Sequence, residues 1–208
     1  MSAPDNLKNL LGLRPSSDIL SNQIALLSSL VSTSDAAVPE VKSYPDAVYF
    51  NYFKLGLSLL FVPVNGYKPK TGLTKTDLSE DKLVLDNIDV YNNPVVTEKN
   101  SSKREFSPYP VSPLSITLPI DENNSSPTIF GVLPETTGRE FVERLGEPDR
   151  KGGGQGPSSG SIGIWCEWSS HGVMVEFGGN EARGPQAWEL GKDAVWKVIS
   201  IFAPKLVN

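Results

Sequence analysis

The sequence predicts an α+β protein made of two pseudo-duplicated helix–strand–strand–strand units, with antiparallel strands and helices packed on one face of the sheet. Three observations predict this fold class. Apolar residues recur at helical spacing in each half, an aromatic hairpin follows each helix, and a polar loop and a further strand follow each hairpin. Helix–strand–strand segments are common, so the prediction depends on finding the same order twice.

The first helix is predicted over residues 18–32. Ser16, Ser17 and Asp18 are cap candidates, because their side-chain oxygens can accept hydrogen bonds from the first backbone amides of a helix. The apolar positions that follow recur about one helical turn apart, at Leu20, Ile24, Leu27 and Val31.

Aromatic and β-branched residues then predict a hairpin. Its strands are Val48–Phe53 and Leu57–Val62, and Gly56 lies at the tight connection. A third strand is predicted over Leu83–Tyr91, after a polar loop. We therefore expect a first unit over residues 1–92.

The second half shows the same order of elements. Thr137 and Glu140 have the spacing of a capping box, which predicts a helix that Gly146 ends. We expect a second unit over residues 128–204, a proline-rich and partly mobile connector over 93–127, and a tail over 205–208; alternatively, both units form one joint domain. The strands of the second unit are predicted at Ile162–Trp168, Val173–Phe177 and Ala194–Ala203.

Composition excludes several classes of protein. The chain has 19 Lys and Arg against 24 Asp and Glu, a net charge of −5, which argues against a nucleic-acid binder. One cysteine and one histidine exclude a disulfide framework and a cysteine-based zinc site, so we predict no metal, cofactor or catalytic residue. The longest apolar stretch is too short to span a bilayer, and Asp5 lies where a signal peptide would be apolar. We therefore expect a cytoplasmic protein.

The second hairpin predicts a face for partner binding. Pairing around Ser170 and His171 directs one set of side chains to the core and another set to the opposite face. Exposed aromatic and methionine side chains are enriched at protein interfaces. Alternatively, the loop Lys151–Ser161 covers this face, or two of its carboxylates form the acid–base pair of a small-molecule enzyme. The residues of this face are Trp165, Glu167, Met174 and Glu176, and the candidate acid–base pair is Glu167 with Glu176.

Basic residues on two long loops predict a second binding surface. Ammonium and guanidinium groups suit an anionic lipid headgroup or an acidic protein partner. Solvated loop lysines without a function are the alternative, and the commoner case. The residues concerned are Lys68, Lys70, Lys75, Lys99, Lys103 and Arg104.

The first hairpin resembles that of a known family. Val48–Phe61 resembles the Phe-Asn-Tyr-Phe-x-Leu-Gly hairpin of the UPF0183 family, which includes the phagophore assembly factors. Thr136–Phe177 is similar to a later segment of that family, a helix ending in Leu-Gly-x-Pro, a glycine-containing loop and a hairpin. The repeated order of elements also resembles the fold of BamE and of β-lactamase inhibitory protein, in which the concave face of the sheet grips a partner.

These resemblances imply a function without chemistry. The phagophore assembly family is non-enzymatic, binds protein partners and is recruited to phosphoinositide-bearing autophagic membranes. We therefore expect a non-enzymatic intracellular binding or adaptor protein with a protein partner, possible phosphoinositide contacts and no nucleic acid. The inhibitor fold implies the alternative, an inhibitor or immunity-like protein that grips one protein with its sheet face.

Overall fold

A computed structural model of the chain describes residues 6–33, 35–93, 105–118, 128–154 and 163–205. The chain divides into two compact units, one ending at Val111 and the other beginning at Ser112. All six tyrosines belong to the first unit and all four tryptophans belong to the second.

The first unit contains one α-helix and four antiparallel strands. Helix α1 spans Asp18–Ser29 and precedes strands in the order β1-β2-β3-β4. The strands are β1 (Glu40–Ser43), β2 (Val48–Tyr52), β3 (Leu57–Pro63) and β4 (Leu83–Tyr91). The predicted third strand is confirmed at both ends. Buried positions alternate with more exposed ones on either side of Asp86, where the alternation shifts by one residue.

Helix α1 covers one face of this sheet. Leu20, Ile24 and Leu27 are buried, as their helical spacing predicts. Leu20 and Ile24 line a small cavity with Tyr52 of β2, which places the helix on the Tyr52 side. The helix ends at Ser29 rather than at Ser32, because the backbone N–H of Leu30 turns to the carbonyl of Leu27 and closes a tighter final turn.

The second unit contains a strand pair, two helices and a four-stranded antiparallel sheet. Strands β5 (Leu114–Thr117) and β6 (Ile129–Val132) pair with each other. Helix α2 spans Gly138–Leu145, and the predicted capping box at Thr137 and Glu140 is confirmed. The sheet has the order β7-β8-β9-β10. Its strands are β7 (Arg150–Gly152), β8 (Trp165–Trp168), β9 (Val173–Phe177) and β10 (Trp196–Phe202). Helix α3 (Ala187–Leu190) lies in the chain between β9 and β10.

Phe141 of α2 lies at the centre of the core between this helix and the sheet. It is fully buried, and its ring centroid lies 6.2 Å from that of Trp168 and 6.0 Å from that of Phe177. Trp168 and Phe177 lie on β8 and β9, so α2 covers the face of the sheet to which these rings point. The opposite face carries the predicted partner-binding residues.

Both predicted hairpins are present, but a short 3₁₀ turn connects the strands of each one. The turns span Phe53–Leu55 and Ser169–His171. Each ends at a left-handed glycine, Gly56 with φ 56° and Gly172 with φ 62°. We call each of these turns, together with its glycine, the corner of its unit. Glycine is favoured there because it adopts positive φ without a steric penalty.

Candidate binding faces

The structure brings together the four residues of the predicted face in the second unit. Trp165 of β8 lies opposite Glu176 of β9, and Glu167 lies opposite Met174. This register is the one that the sequence predicts. Side chains alternate along a strand, so these four project to one side and Cys166 and Trp168 project to the other.

The two carboxylates of this face belong to different ion pairs. Glu167 is only 7% exposed; its Oε2 lies 3.3 Å from Arg150 Nη1, and its Oε1 accepts a hydrogen bond of 2.7 Å from the Ser169 hydroxyl. Glu176 Oε1 lies 3.1 Å from Lys197 Nζ. These contacts give each carboxylate a structural role and separate partners.

Strand β7 extends the sheet beside this face. Gly152 pairs with Trp165, and a Cβ atom at Gly152 would lie 2.6 Å from the Trp165 ring, so only glycine fits here. Residues Arg150–Gly152 therefore form an edge strand. The first two residues of the predicted covering loop, Lys151 and Gly152, belong to this strand and do not cover the face. Residues 155–161 of the predicted covering loop lie outside the described residues. Trp165 and Met174 are half-buried.

The first unit carries a groove that the sequence analysis missed. It has a volume of about 940 Å³ and lies on the sheet face opposite α1. The face is fixed by alternation, since Tyr49 and Asn51 of β2 line the groove whereas Tyr52 contacts the α1 side. The lining residues are Glu40, Lys42, Tyr44, Asp46, Ala47, Tyr49, Asn51, Phe53, Ser58, Asp89, Tyr91 and Phe106.

Aromatic rings form two walls of this groove. Tyr91 and Phe106 stack with a centroid distance of 3.8 Å and an interplanar angle of 4°, and Phe53 lies 4.4 Å from Phe106. Tyr44 and Tyr49 meet edge to face at 6.3 Å. Such ring contacts hold both walls in place and offer flat apolar surface to a ligand.

A buried polar pair lies among the residues that line the groove. Asn51 and Ser58 face each other across β2 and β3 and are 8% and 3% exposed. The Ser58 hydroxyl donates a hydrogen bond of 2.8 Å to Asn51 Oδ1. Within the described ranges, the Asn51 amide nitrogen donates to no protein group. The amide nitrogen keeps access to solvent at the groove, so it can donate to the acceptor of a ligand.

The charged residues of the groove are mostly acidic. Glu40, Asp46 and Asp89 carry carboxylates, and Lys42 is the one basic residue in the lining. Lys42 Nζ lies 3.7 Å from Glu40 Oε1. The Asn87 amide donates a hydrogen bond of 2.7 Å to Asp89 Oδ1, which orients that carboxylate.

A smaller cavity of about 390 Å³ adjoins the groove through Glu40 and Phe53. It adds the carboxylates of Asp35 and Glu105 and the ammonium group of Lys54. Lys54 forms an ion pair with Asp35, and its hydrogen bond and charge lower the pKa of the Asp35 carboxyl. The acidic character of the groove therefore continues into this cavity.

The predicted basic surface is only partly described. Lys68, Lys70 and Lys75 are exposed, and the loop that carries them is anchored where the Lys70 carbonyl accepts a hydrogen bond of 2.8 Å from the Ser43 hydroxyl. The other three predicted basic residues lie outside the described residues: Lys99, Lys103 and Arg104.

The cysteine and the histidine of the second unit are both at least partly buried. Cys166 is buried, and desolvation raises the pKa of its thiol to about 11, which keeps it protonated at neutral pH. His171 is half-buried, with Nε2 3.3 Å from the Leu145 carbonyl oxygen, rather than fully solvated in a turn. Among the described residues, no three His, Cys, Asp or Glu side chains are placed to hold a metal ion. Nor does any described helix combine the length and apolar character that crossing a bilayer needs.

Comparison of the chain with family models, curated proteins and solved structures finds no match. The resemblance to phagophore assembly factors and to duplicated inhibitor domains stays a prediction.

Proposed function

We propose that the chain is a non-enzymatic binding protein that holds a protein partner against the sheet face opposite the helix of each unit. The groove of the first unit carries this proposal. It combines aromatic walls with the side-chain amide of Asn51, which donates to no described protein group. Aromatic side chains around a concave surface are typical of protein-binding sites, where they supply most of the binding energy.

We also propose that the two units arose by duplication, and the corners support this. In the first unit, Tyr91 N donates to Gly56 O at 2.9 Å and Ser107 N donates to Phe53 O at 2.8 Å. In the second unit, Phe202 N donates to Gly172 O at 3.0 Å and Lys205 N donates to Ser169 O at 2.9 Å. The two corners therefore share a glycine conformation and a hydrogen-bond pattern.

A bulge at the same place in each sheet adds an independent likeness. The register of β3 with β4 shifts beside Phe61 and omits Asp86. The register of β9 with β10 shifts beside Phe177 and omits Lys197. Phe61 follows Gly56 by the same number of residues as Phe177 follows Gly172. Because bulges are conserved features of a fold, their matching positions support a common origin.

Duplication would relate the two candidate faces to each other. Counted from the corner glycine, Tyr49 corresponds to Trp165, Asn51 to Glu167 and Ser58 to Met174. The face predicted from the second hairpin and the groove of the first unit are then the same surface of one ancestral unit. A shared binding role for both faces follows from this relation.

Site-specific photocrosslinking tests the proposal. Benzoylphenylalanine in place of Tyr49 or Trp165 should form an adduct with one and the same protein in the native cell extract. The matched control places the crosslinker at Ile19, which is 61% exposed on α1 and lies on the other side of the first unit's sheet. Equal adducts at Ile19, or none at Tyr49, would contradict a partner on this face.

A further inference from the structure

The charge of the groove indicates what kind of partner segment fits it. Three carboxylates and one ammonium group line the groove, and the adjoining cavity adds two carboxylates and one further ammonium group. Acidic side chains in a concave, partly desolvated surface select cations, because attraction between charges is stronger there than in open water. The chemistry favours a basic ligand.

The rings of the groove favour the same ligand. The face of an aromatic ring attracts ammonium and guanidinium groups, and arginine in particular stacks on tyrosine and phenylalanine. Tyr49 and Tyr91 lie in the same lining as the Asp89 carboxylate. A guanidinium group in the groove can therefore meet a carboxylate at its edge and a ring at its face.

The Asn51 amide supplies the remaining contact. Asn51 is 8% exposed, and its amide nitrogen is a donor without an acceptor within the part of the chain that the structure describes. A peptide backbone carbonyl is an acceptor that matches it, whereas an isolated cation is not. This contact distinguishes a peptide from a small amine.

We propose that the groove of the first unit binds a basic segment of the protein partner, with an arginine side chain among the carboxylates and rings and a backbone carbonyl on Asn51. This inference rests on the proposed partner-binding function and specifies its chemistry. The adjoining cavity, continuous with the groove through Glu40, accepts a second basic side chain of the same segment.

Fluorescence anisotropy with defined peptides tests the inference on the full chain. The probe is a fluorescein-labelled peptide of glycine and serine with two arginines, and the matched probe carries citrulline, which is neutral and nearly isosteric, at both positions. We expect the arginine peptide to bind at least about fivefold more tightly, and its affinity to fall with added salt.

Two protein variants locate the binding. Asp89→Asn removes a groove carboxylate and should weaken the arginine peptide about fivefold. Asp86→Asn removes the same charge from an exposed position of β4 outside the groove, and should leave the affinity within about twofold. Thermal unfolding of both variants, followed by circular dichroism, controls for loss of the fold.

Each contrary result has a definite meaning. Equal affinity for the arginine and citrulline peptides, equal weakening by Asp86→Asn and Asp89→Asn, or no binding at millimolar peptide would each overturn the inference. Displacement of the arginine peptide by a neutral oligosaccharide of glucose would overturn it in favour of a carbohydrate ligand. If a crosslinked partner at Tyr49 is still found in any of these cases, the proposed function stands and only the basic segment is wrong.

Discussion

The corner glycine of the first unit leaves no room for a methyl group. A Cβ atom at Gly56 would overlap the Ser107 carbonyl oxygen and lie 2.7 Å from Tyr109 N and 2.8 Å from Pro108 C. All three atoms belong to backbone, which cannot rotate away as a side chain can. Left-handed conformation costs an alanine about 1 kcal/mol, and the overlap adds about 1–3 kcal/mol. We therefore expect Gly56→Ala to lower the free energy of unfolding by about 3 kcal/mol.

The matched control separates these two contributions. Gly66 also has positive φ, at 73°, but no atom lies within 4 Å of a Cβ atom built there. Gly66→Ala should therefore cost only the conformational part, about 1 kcal/mol. Urea unfolding followed by circular dichroism measures both variants. A loss in Gly56→Ala within about 0.5 kcal/mol of that in Gly66→Ala would refute the backbone overlap.

Three further predictions concern the second unit and the basic loop. The backbone N–H and hydroxyl of Thr137 hydrogen-bond the Glu140 carboxylate and lower the pKa of that carboxyl, so Glu140→Gln should cost about 0.5 kcal/mol at neutral pH. Because the pKa is lowered in the folded protein, the stabilisation is complete above the usual value of 4.5 and is lost as the pH falls through the lowered pKa. The cost of Glu140→Gln should therefore shrink in acid, and a cost that grows in acid would contradict this reasoning. Cys166 should react with a disulfide reagent slowly in the native protein and rapidly in urea; rapid native reaction at pH 8 would mean that the thiol is accessible. If the chain is recruited to phosphoinositides, Lys68→Glu with Lys70→Glu should reduce its flotation with phosphoinositide liposomes, and flotation unchanged by both substitutions would exclude these lysines from the contact.

Local signals made much of the fold predictable. The hairpin of the second unit was predicted in its observed register because Gly172 fixes the corner and alternation along β8 and β9 fixes the faces. The start of α2 was predictable because the capping box at Thr137 is complete within one helical turn. Both signals act between residues that are close in the chain.

Elements set by distant partners were not predictable. β1 and β7 are short edge strands with polar sequences, and each is defined by the strand beside it. Gly152 became a strand residue because it fits under the Trp165 ring, although a run of glycines reads locally as a loop.

The groove was missed for a related reason. Tyr44, Asp89 and Phe106 are far apart in sequence and meet only in the folded first unit. The one local signal was the alternation of Tyr49 and Asn51 along β2, which placed an aromatic ring and an amide on the face opposite the helix. The hairpin of the second unit carries the same signal, and there it was used to predict a binding face.

The tyrosines and tryptophans of this protein lie in different units, so the two units can be followed separately by spectroscopy. Tyrosine emission arises only from the unit that ends at Val111, and tryptophan emission only from the unit that follows it. Fluorescence excited at wavelengths that tryptophan alone absorbs therefore reports the unfolding of the second unit. Changes in tyrosine absorbance report the unfolding of the first unit. One denaturation series can then establish whether the two units melt as a single cooperative system or one after the other.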